Sequence, residues 1–168
     1  AALVLCPLEK AREHTDCYAK VSAVTQASDT LGLFSRGEDI TSYRATVQAA
    51  QQAYRQAGIT AQDIQVAEVH VSGIMALQDL GFFEKGQAGK AVLDGQCRIG
   101  GKIAINTSGG LKARGHPIGA TGVAQVAEIA DQMRNRADKR QVENAKYGLA
   151  QNTGGVGSAA TVTILEAI

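Results

Sequence analysis

A chain of 168 residues, 45% hydrophobic and 20% charged, can bury about 70% of its unfolded surface, so it needs neither metal nor disulfide staples to fold. Seventeen Lys and Arg against sixteen Asp and Glu leave a net charge of +1 with no basic run and no aromatic stripe, and nucleic acid is excluded as an expected partner. No stretch reaches the roughly 18 consecutive apolar residues of a membrane helix, and no charged segment precedes an apolar one at the amino terminus, so no membrane partner and a cytoplasmic location are expected.

The sequence opens on Ala1 rather than Met, as an interior segment would, and Ala1-Ala2-Leu3-Val4-Leu5-Cys6 reads as a buried strand. Residues 8–14 have helical spacing, and Val21, Ala23 and Thr25 alternate within residues 18–28 as in a half-buried strand. Residues 29–41 read as a loop. Residues 43–57 put Val47, Ala50 and Tyr54 at helical spacing and stop at Gly58. Val66-Ala67-Glu68-Val69-His70 is a short strand that feeds a helix over residues 74–80, which sets His70 at the junction. Residues 83–101 read as loop, Ile103-Ala104-Ile105 as a strand, and residues 107–122 as a glycine-rich loop. A helix over residues 122–136 turns Val123, Val126, Ala127, Ile129, Ala130 and Met133 to a core, and residues 147–150 and 159–165 are strands around a glycine-rich turn. Strands alternating with helices define an α/β chain. Cys6, Cys17 and Cys97 lack Cys-x-x-Cys spacing and read as reduced thiols, Cys6 as an inert one inside a strand.

The most informative segment is residues 106–122, which spends Gly109, Gly110, Gly115, Gly119 and Gly122 just before a strong helix. Pro117 fixes the backbone beside His116, so the imidazole is either a rigidly held donor for a developing oxyanion or a packed histidine at the start of a helix. In Gln151-Asn152-Thr153-Gly154-Gly155-Val156-Gly157, consecutive N–H groups of a turn can form a concave oxyanion site, and a glycine-rich hairpin has the same look. His70 is either a ligand-facing group at a strand end or a structural histidine. Neither Gly-x-x-x-x-Gly-Lys-Ser/Thr nor Gly-x-Gly-x-x-Gly occurs, which argues against nucleotide binding.

Residues 106–122, the strand ending at His70, Leu80-Gly81-Phe82-Phe83-Glu84-Lys85-Gly86 and the closing Gln151-Asn152-Thr153-Gly154-Gly155 together resemble the carboxy-terminal half of a thiolase. The resemblance covers residues 1–168 as one domain without the amino-terminal half, and is closest to sterol carrier protein-type and archaeal acetyl-CoA acetyltransferases. It implies a thiolase-like half, a mixed five-stranded sheet with helices on both faces. It implies acyl transfer on acyl-CoA thioesters, by C–C bond formation or thiolytic cleavage, with coenzyme A thioester as substrate and neither bound cofactor nor metal. His116 is then the oxyanion donor, His70 a second catalytic residue that helps to hold a water, and residues 151–155 the substrate-binding turn. The implied partners are acyl-CoA, an amino-terminal half in the same or another chain, and further copies in an oligomer or multi-subunit complex. A peroxisomal location is the eukaryotic alternative.

Three departures from the family pattern stand out. Where relatives continue from the strand histidine into Asp-Cys-Phe, this chain goes from His70 to Val71-Ser72-Gly73, so the cysteine expected to move a proton is missing. Gln151 stands where relatives carry histidine or cysteine, and an amide side chain cannot take up a proton at neutral pH. None of the three cysteines matches the family's nucleophile, which belongs to the amino-terminal half. These departures leave two alternatives open: a non-catalytic scaffold or specificity subunit, and a thiolase-like enzyme of different reaction, acylating a non-CoA acceptor or cleaving by retro-aldol chemistry.

Overall fold

The computed structural model describes residues 2–35, 39–71 and 73–168; residues 36–38 of the expected 29–41 loop and Ser72 after His70 lie outside it, as does the side chain of Leu33. Residues 2–6 are not the expected buried strand. They pair with no strand of the sheet, Val4 is 98% exposed and Cys6 is exposed, because an apolar run becomes a strand only where a neighbour takes its backbone hydrogen bonds. A 3-10 turn, Leu8–Lys10, leads into the single-turn helix α1 (Ala11–His14). Strand β1 (Ala19–Ser28) follows. Its register shifts between Val21 and Ala23, so Val21 lies opposite Leu165 and Ala23 opposite Ile164; this slip turns Val21 to solvent instead of continuing the alternation that the sequence suggests.

Helix α2 (Arg44–Ala57) ends at Gly58 and buries an alanine-rich face, Ala45, Ala49, Ala50 and Ala53, which allows close approach to the sheet. Strand β2 (Val66–Val69) is buried at all four positions, and helix α3 (Gly73–Asp79) begins three residues after His70. The Asp79 carboxylate accepts the Ser42 Oγ–H at 2.6 Å and the Tyr43 N–H at 2.7 Å, tying the end of α3 to the start of α2. Leu80 and Phe82 are buried in the core, so the Leu80-to-Gly86 motif is a packing element. Residues 83–101 are not all loop: α4 (Ala88–Leu93) buries Ala88 and Ala91. The chain continues through β3 (Ala104–Ile105), the short helix α5 (Gly110–Arg114), α6 (Thr121–Met133), β4 (Tyr147–Gly154) and β5 (Ala159–Ala167).

The five strands form one mixed sheet in the order β1-β5-β4-β2-β3, antiparallel across β1, β5 and β4 and parallel across β4, β2 and β3. Helices α2, α3 and α4 cover one face, packing on Ala67, Val69, Leu149, Val162 and Ile164. Helix α6 covers the other, with Ile129 and Met133 on Val66, Ala150 and Leu165. It lies so close to β4 that a Cβ at Gly148 would stand 2.6 Å from Ile129 Cγ2. The mixed five-stranded sheet with helices on both faces is therefore as expected. The inner side of α6 differs from expectation, since Gln125, Glu128 and Gln132 are buried with Ile129 and Met133 while Val123 and Ala127 are only half-buried. Sheet and helix meet there through hydrogen bonds as well as apolar contact: Gln125 Nε2 donates to the main-chain carbonyls of Gln151 at 2.9 Å and Glu68 at 3.4 Å.

Candidate active site at the ends of the parallel strands

Strands β2 and β4 run parallel, so their carboxyl ends open on the same edge of the sheet, where open α/β sheets bind ligands. His70 stands at the end of β2, and His116 arrives there on the loop between α5 and α6. Their imidazoles meet edge to face, with ring centroids 4.8 Å apart and planes at 83°. Burial, and after it the charge of His116, lowers the pKa of His70, favouring its neutral form. His116 is exposed, and the Thr121 hydroxyl lies 2.7 Å from its Nδ1. That contact fixes the ring and leaves Nε2 as the nitrogen open to a ligand.

The loop that carries His116 is anchored residue by residue. Asn106 Oδ1 accepts the Val69 N–H at 2.8 Å, prolonging the pairing of β2. Thr107 Oγ donates to Glu128 at 3.0 Å, and Arg140 bonds both oxygens of the same carboxylate. Burial alone would raise the Glu128 pKa, but the bonds from Arg140 and Thr107 outweigh it and hold the group below the usual value. Ser108 donates through N–H and Oγ–H to Glu68, which burial pushes up in pKa. Glu68, Asn106 and Thr121 hold this loop by hydrogen bonds, and the sequence reading did not single them out. A charged residue inside an otherwise apolar strand was the available signal for Glu68.

Residues 151–155 are placed differently from the expected turn. Strand β4 runs through Gly154, so Gln151, Asn152, Thr153 and Gly154 sit opposite Val162, Thr161, Ala160 and Ala159 of β5, and only Gly155 of the five belongs to the turn. Gln151 is 0% exposed and faces α2, on the other side of the sheet from α6. Its Oε1 accepts the His70 N–H at 3.1 Å, and its Nε2 donates to Thr153 at 2.5 Å and Thr46 at 3.2 Å. The amide is fully occupied, so Gln151 holds the His70 backbone rather than reaching into the cleft. Asn152 points the opposite way: its Nδ2 lies 2.8 Å from where a Cβ at Gly122 would be, beside Thr121. Thr153 is buried against Gln151, and Gly154 and Gly155 are exposed. The structure thus brings His70 and His116 together, while Asn152 lies beside Gly122 at the start of α6. Among the described residues, no three His, Cys, Asp or Glu side chains are grouped to hold a metal ion, and no helix is long and apolar enough to cross a membrane.

A histidine pair thus stands at the carboxyl edge of a mixed five-stranded sheet, the architecture expected of a thiolase-like half. Residues 25–167 match the family model for the thiolase C-terminal domain-like family, and the chain belongs to that family. It is 52% identical over 170 residues to the acetyl-CoA acetyltransferase of Methanothermobacter thermautotrophicus, covering 99% of this chain and 44% of that protein. The acetyl-CoA acetyltransferase of Methanocaldococcus jannaschii is 44% identical over 177 residues, and sterol carrier protein 2 of Rattus norvegicus is 42% identical over 126, with 99% and 73% of this chain covered. The chain spans under half the length of these relatives: 45% of the second and 23% of the third. Among solved structures, an Ltp2-ChsH2(DUF35) aldolase superposes with a TM-score of 0.82 at 26% identity, over 95% of this chain and 42% of that one.

Proposed function

We propose that this chain is the oxyanion-hole half of an acetyl-CoA acetyltransferase, acting on acyl-CoA thioesters by C–C bond formation or thiolytic cleavage. The observation that carries the reading is the 4.8 Å edge-to-face pair of His70 and His116, brought together from separate elements at the open end of the parallel strands. A cysteine of the amino-terminal half takes the acyl group from one thioester and releases its CoA thiol, and a second acyl-CoA, deprotonated at its α carbon, attacks the acyl-cysteine and expels the cysteine thiolate. His116 serves the oxygen on which charge develops. The Thr121 hydroxyl donates to the Pro117 carbonyl at 3.1 Å and lies 2.7 Å from His116 Nδ1. An oxyanion donor needs the tautomer in which Nε2 carries the N–H and Nδ1 accepts, with the Thr121 hydroxyl turned from Pro117 to His116. His70, kept neutral, holds a water or accepts a proton beside it, and Asn152 borders the same cleft. Coenzyme A thioester is substrate, with no bound cofactor in the reaction. The amino-terminal half and further copies are the macromolecular partners, and the archaeal relatives support a cytoplasmic location.

In the complete protein, His116→Ala is expected to lower acetoacetyl-CoA turnover by about 10²–10³ with little change in melting temperature, the usual loss for one oxyanion donor. Unchanged turnover, or lost melting temperature with turnover per folded molecule intact, overturns the reading. One observation favours a second reading: the Gln151 amide, fully engaged on the far side of the sheet, offers no acid or base to the cleft. Retro-aldol cleavage needs no CoA thiolate and agrees with the likeness to the aldolase. Cleavage of a β-hydroxyacyl-CoA without added CoA, and no thiolysis with it, would select that reaction.

A further inference from the structure

Glu68 lies within a strand whose four residues are all buried, and it is 0% exposed. A carboxylate in such a place is costly unless donors surround it. Its donors are the Ser108 N–H at 3.1 Å on Oε1, the Ser108 Oγ–H at 2.6 Å on Oε2, and the Arg114 Nη2 at 3.3 Å on Oε2. Ser108 stands two residues before α5, and Arg114 is its last residue, two before His116. One carboxylate therefore grips both ends of α5.

That grip matters because α5 cannot orient itself. It has five residues and no side-chain cap, and it lies between Gly109 at φ +86° and Gly115 at φ +84°, where the backbone turns with no Cβ to restrain it. Asn106 and Thr107 hold only the start of the loop, and Thr121 holds His116 from the α6 side. Glu68 supplies the link from the far end of α5 to β2, which is paired on both sides and carries His70 at its end. We propose that Glu68 is a positioning residue: by holding Ser108 and Arg114 it fixes the His116 loop to the strand bearing His70 and sets the spacing of the two imidazoles. This rests on the reading of His70 and His116 as the reacting pair.

The test uses the complete protein with Glu68→Gln, Arg114→Met and Arg114→Lys, and with Leu165→Ala as a core variant on β5 away from the cleft. Acetoacetyl-CoA thiolysis and the ring resonances of His70 and His116 are read on the same samples. Glu68→Gln and Arg114→Met are expected to lower kcat about tenfold or more with KM nearly unchanged, since misplacement by about 1 Å can cost about 10²-fold. They should also shift the resonances of both rings, which face each other edge-on. Arg114→Lys restores most of the rate, and Leu165→Ala loses stability with resonances and kcat unmoved. If Glu68→Gln does not fold, Arg114→Met decides, its side chain being 23% exposed. Resonances that stay in place in both variants while only stability falls overturn the proposal. Resonances that move in a protein with no thiolysis support the positioning role and count against the acetyltransferase reading instead.

Discussion

Gln151→Met isolates what the buried amide does. Methionine keeps the length and nearly the volume of glutamine but removes the acceptor for the His70 N–H and the donor to Thr46 and Thr153. The two threonine hydroxyls can rotate to other partners; the His70 N–H cannot, and a buried donor left unpaired costs about 1–3 kcal/mol. A volume-conserving apolar swap adds less than about 1.5 kcal/mol, so a net loss of about 2–3 kcal/mol is expected. Urea denaturation of the complete protein measures the total, and hydrogen exchange at the His70 amide measures the local part. Each 1.4 kcal/mol of lost protection accelerates that exchange about tenfold. Unaltered His70 exchange together with a loss below about 0.5 kcal/mol, the range of a neutral surface change, would refute the claim that Gln151 pins the end of β2.

Gly148→Ala places a methyl 2.6 Å from Ile129 Cγ2 and 3.2 Å from both Met133 Cε and Val66 Cγ1, and should destabilise by about 1–3 kcal/mol in thermal unfolding, with Ile129→Ala restoring part of the loss. His70 titrates below its ordinary value of about 6.5 because of burial and then His116, so the unfolded chain binds that proton more readily than the native one. Its contribution is absent above about pH 6.5 and becomes a loss of stability as pH falls through that value toward the native pKa. Urea midpoints between about pH 7.5 and about pH 5.5 should therefore decline less steeply in His70→Gln than in the parent protein.

Local pattern encoded the elements whose own periodicity suffices. Strand β2, helix α2 and helix α6 were legible because spacing and a stop residue fall within one short window. Residues 2–6 have the same apolar look, but a strand also needs a partner, and nothing in the run says whether one exists. Helix α4 was hidden because its buried positions are two alanines with Gly89 between them. Strand β4 was read as ending at Ala150 because Gln151, Asn152 and Gly154 are poor strand formers; burial of the Gln151 amide and the ladder with β5 override that preference. For the site, glycine density pointed to the His116 loop, while the meeting of His70 with His116 rested on family resemblance. Thr121 and Glu68 act through contacts of five and forty or more residues, and only the second left a trace, a charge in an apolar strand.

Helix α6 meets its sheet with polar as well as apolar side chains. Gln125, Glu128 and Gln132 face its own sheet, where strand carbonyls take the Gln125 Nε2 and Thr107 and Arg140 bond the other two, while Val123 and Ala127 lie on the other side, one turn apart. Small apolar residues on an outward stripe suit a helix that is interior to a larger body. Val71 and Ile118, within two residues of His70 and His116, are exposed as well. Ala127→Lys tests this face in opposite directions. If the amino-terminal half packs there, the complete protein must bury or displace an ammonium group, and the loss should approach the several kcal/mol of an unpaired buried charge. In the 168-residue chain alone, the same lysine meets water and should reduce self-association while leaving the melting temperature close to the parent value. Light scattering and thermal unfolding on both lengths separate the cases. Equal, small effects in the two would mean that this stripe stays at the surface, and the placement of the other half against α6 would fall.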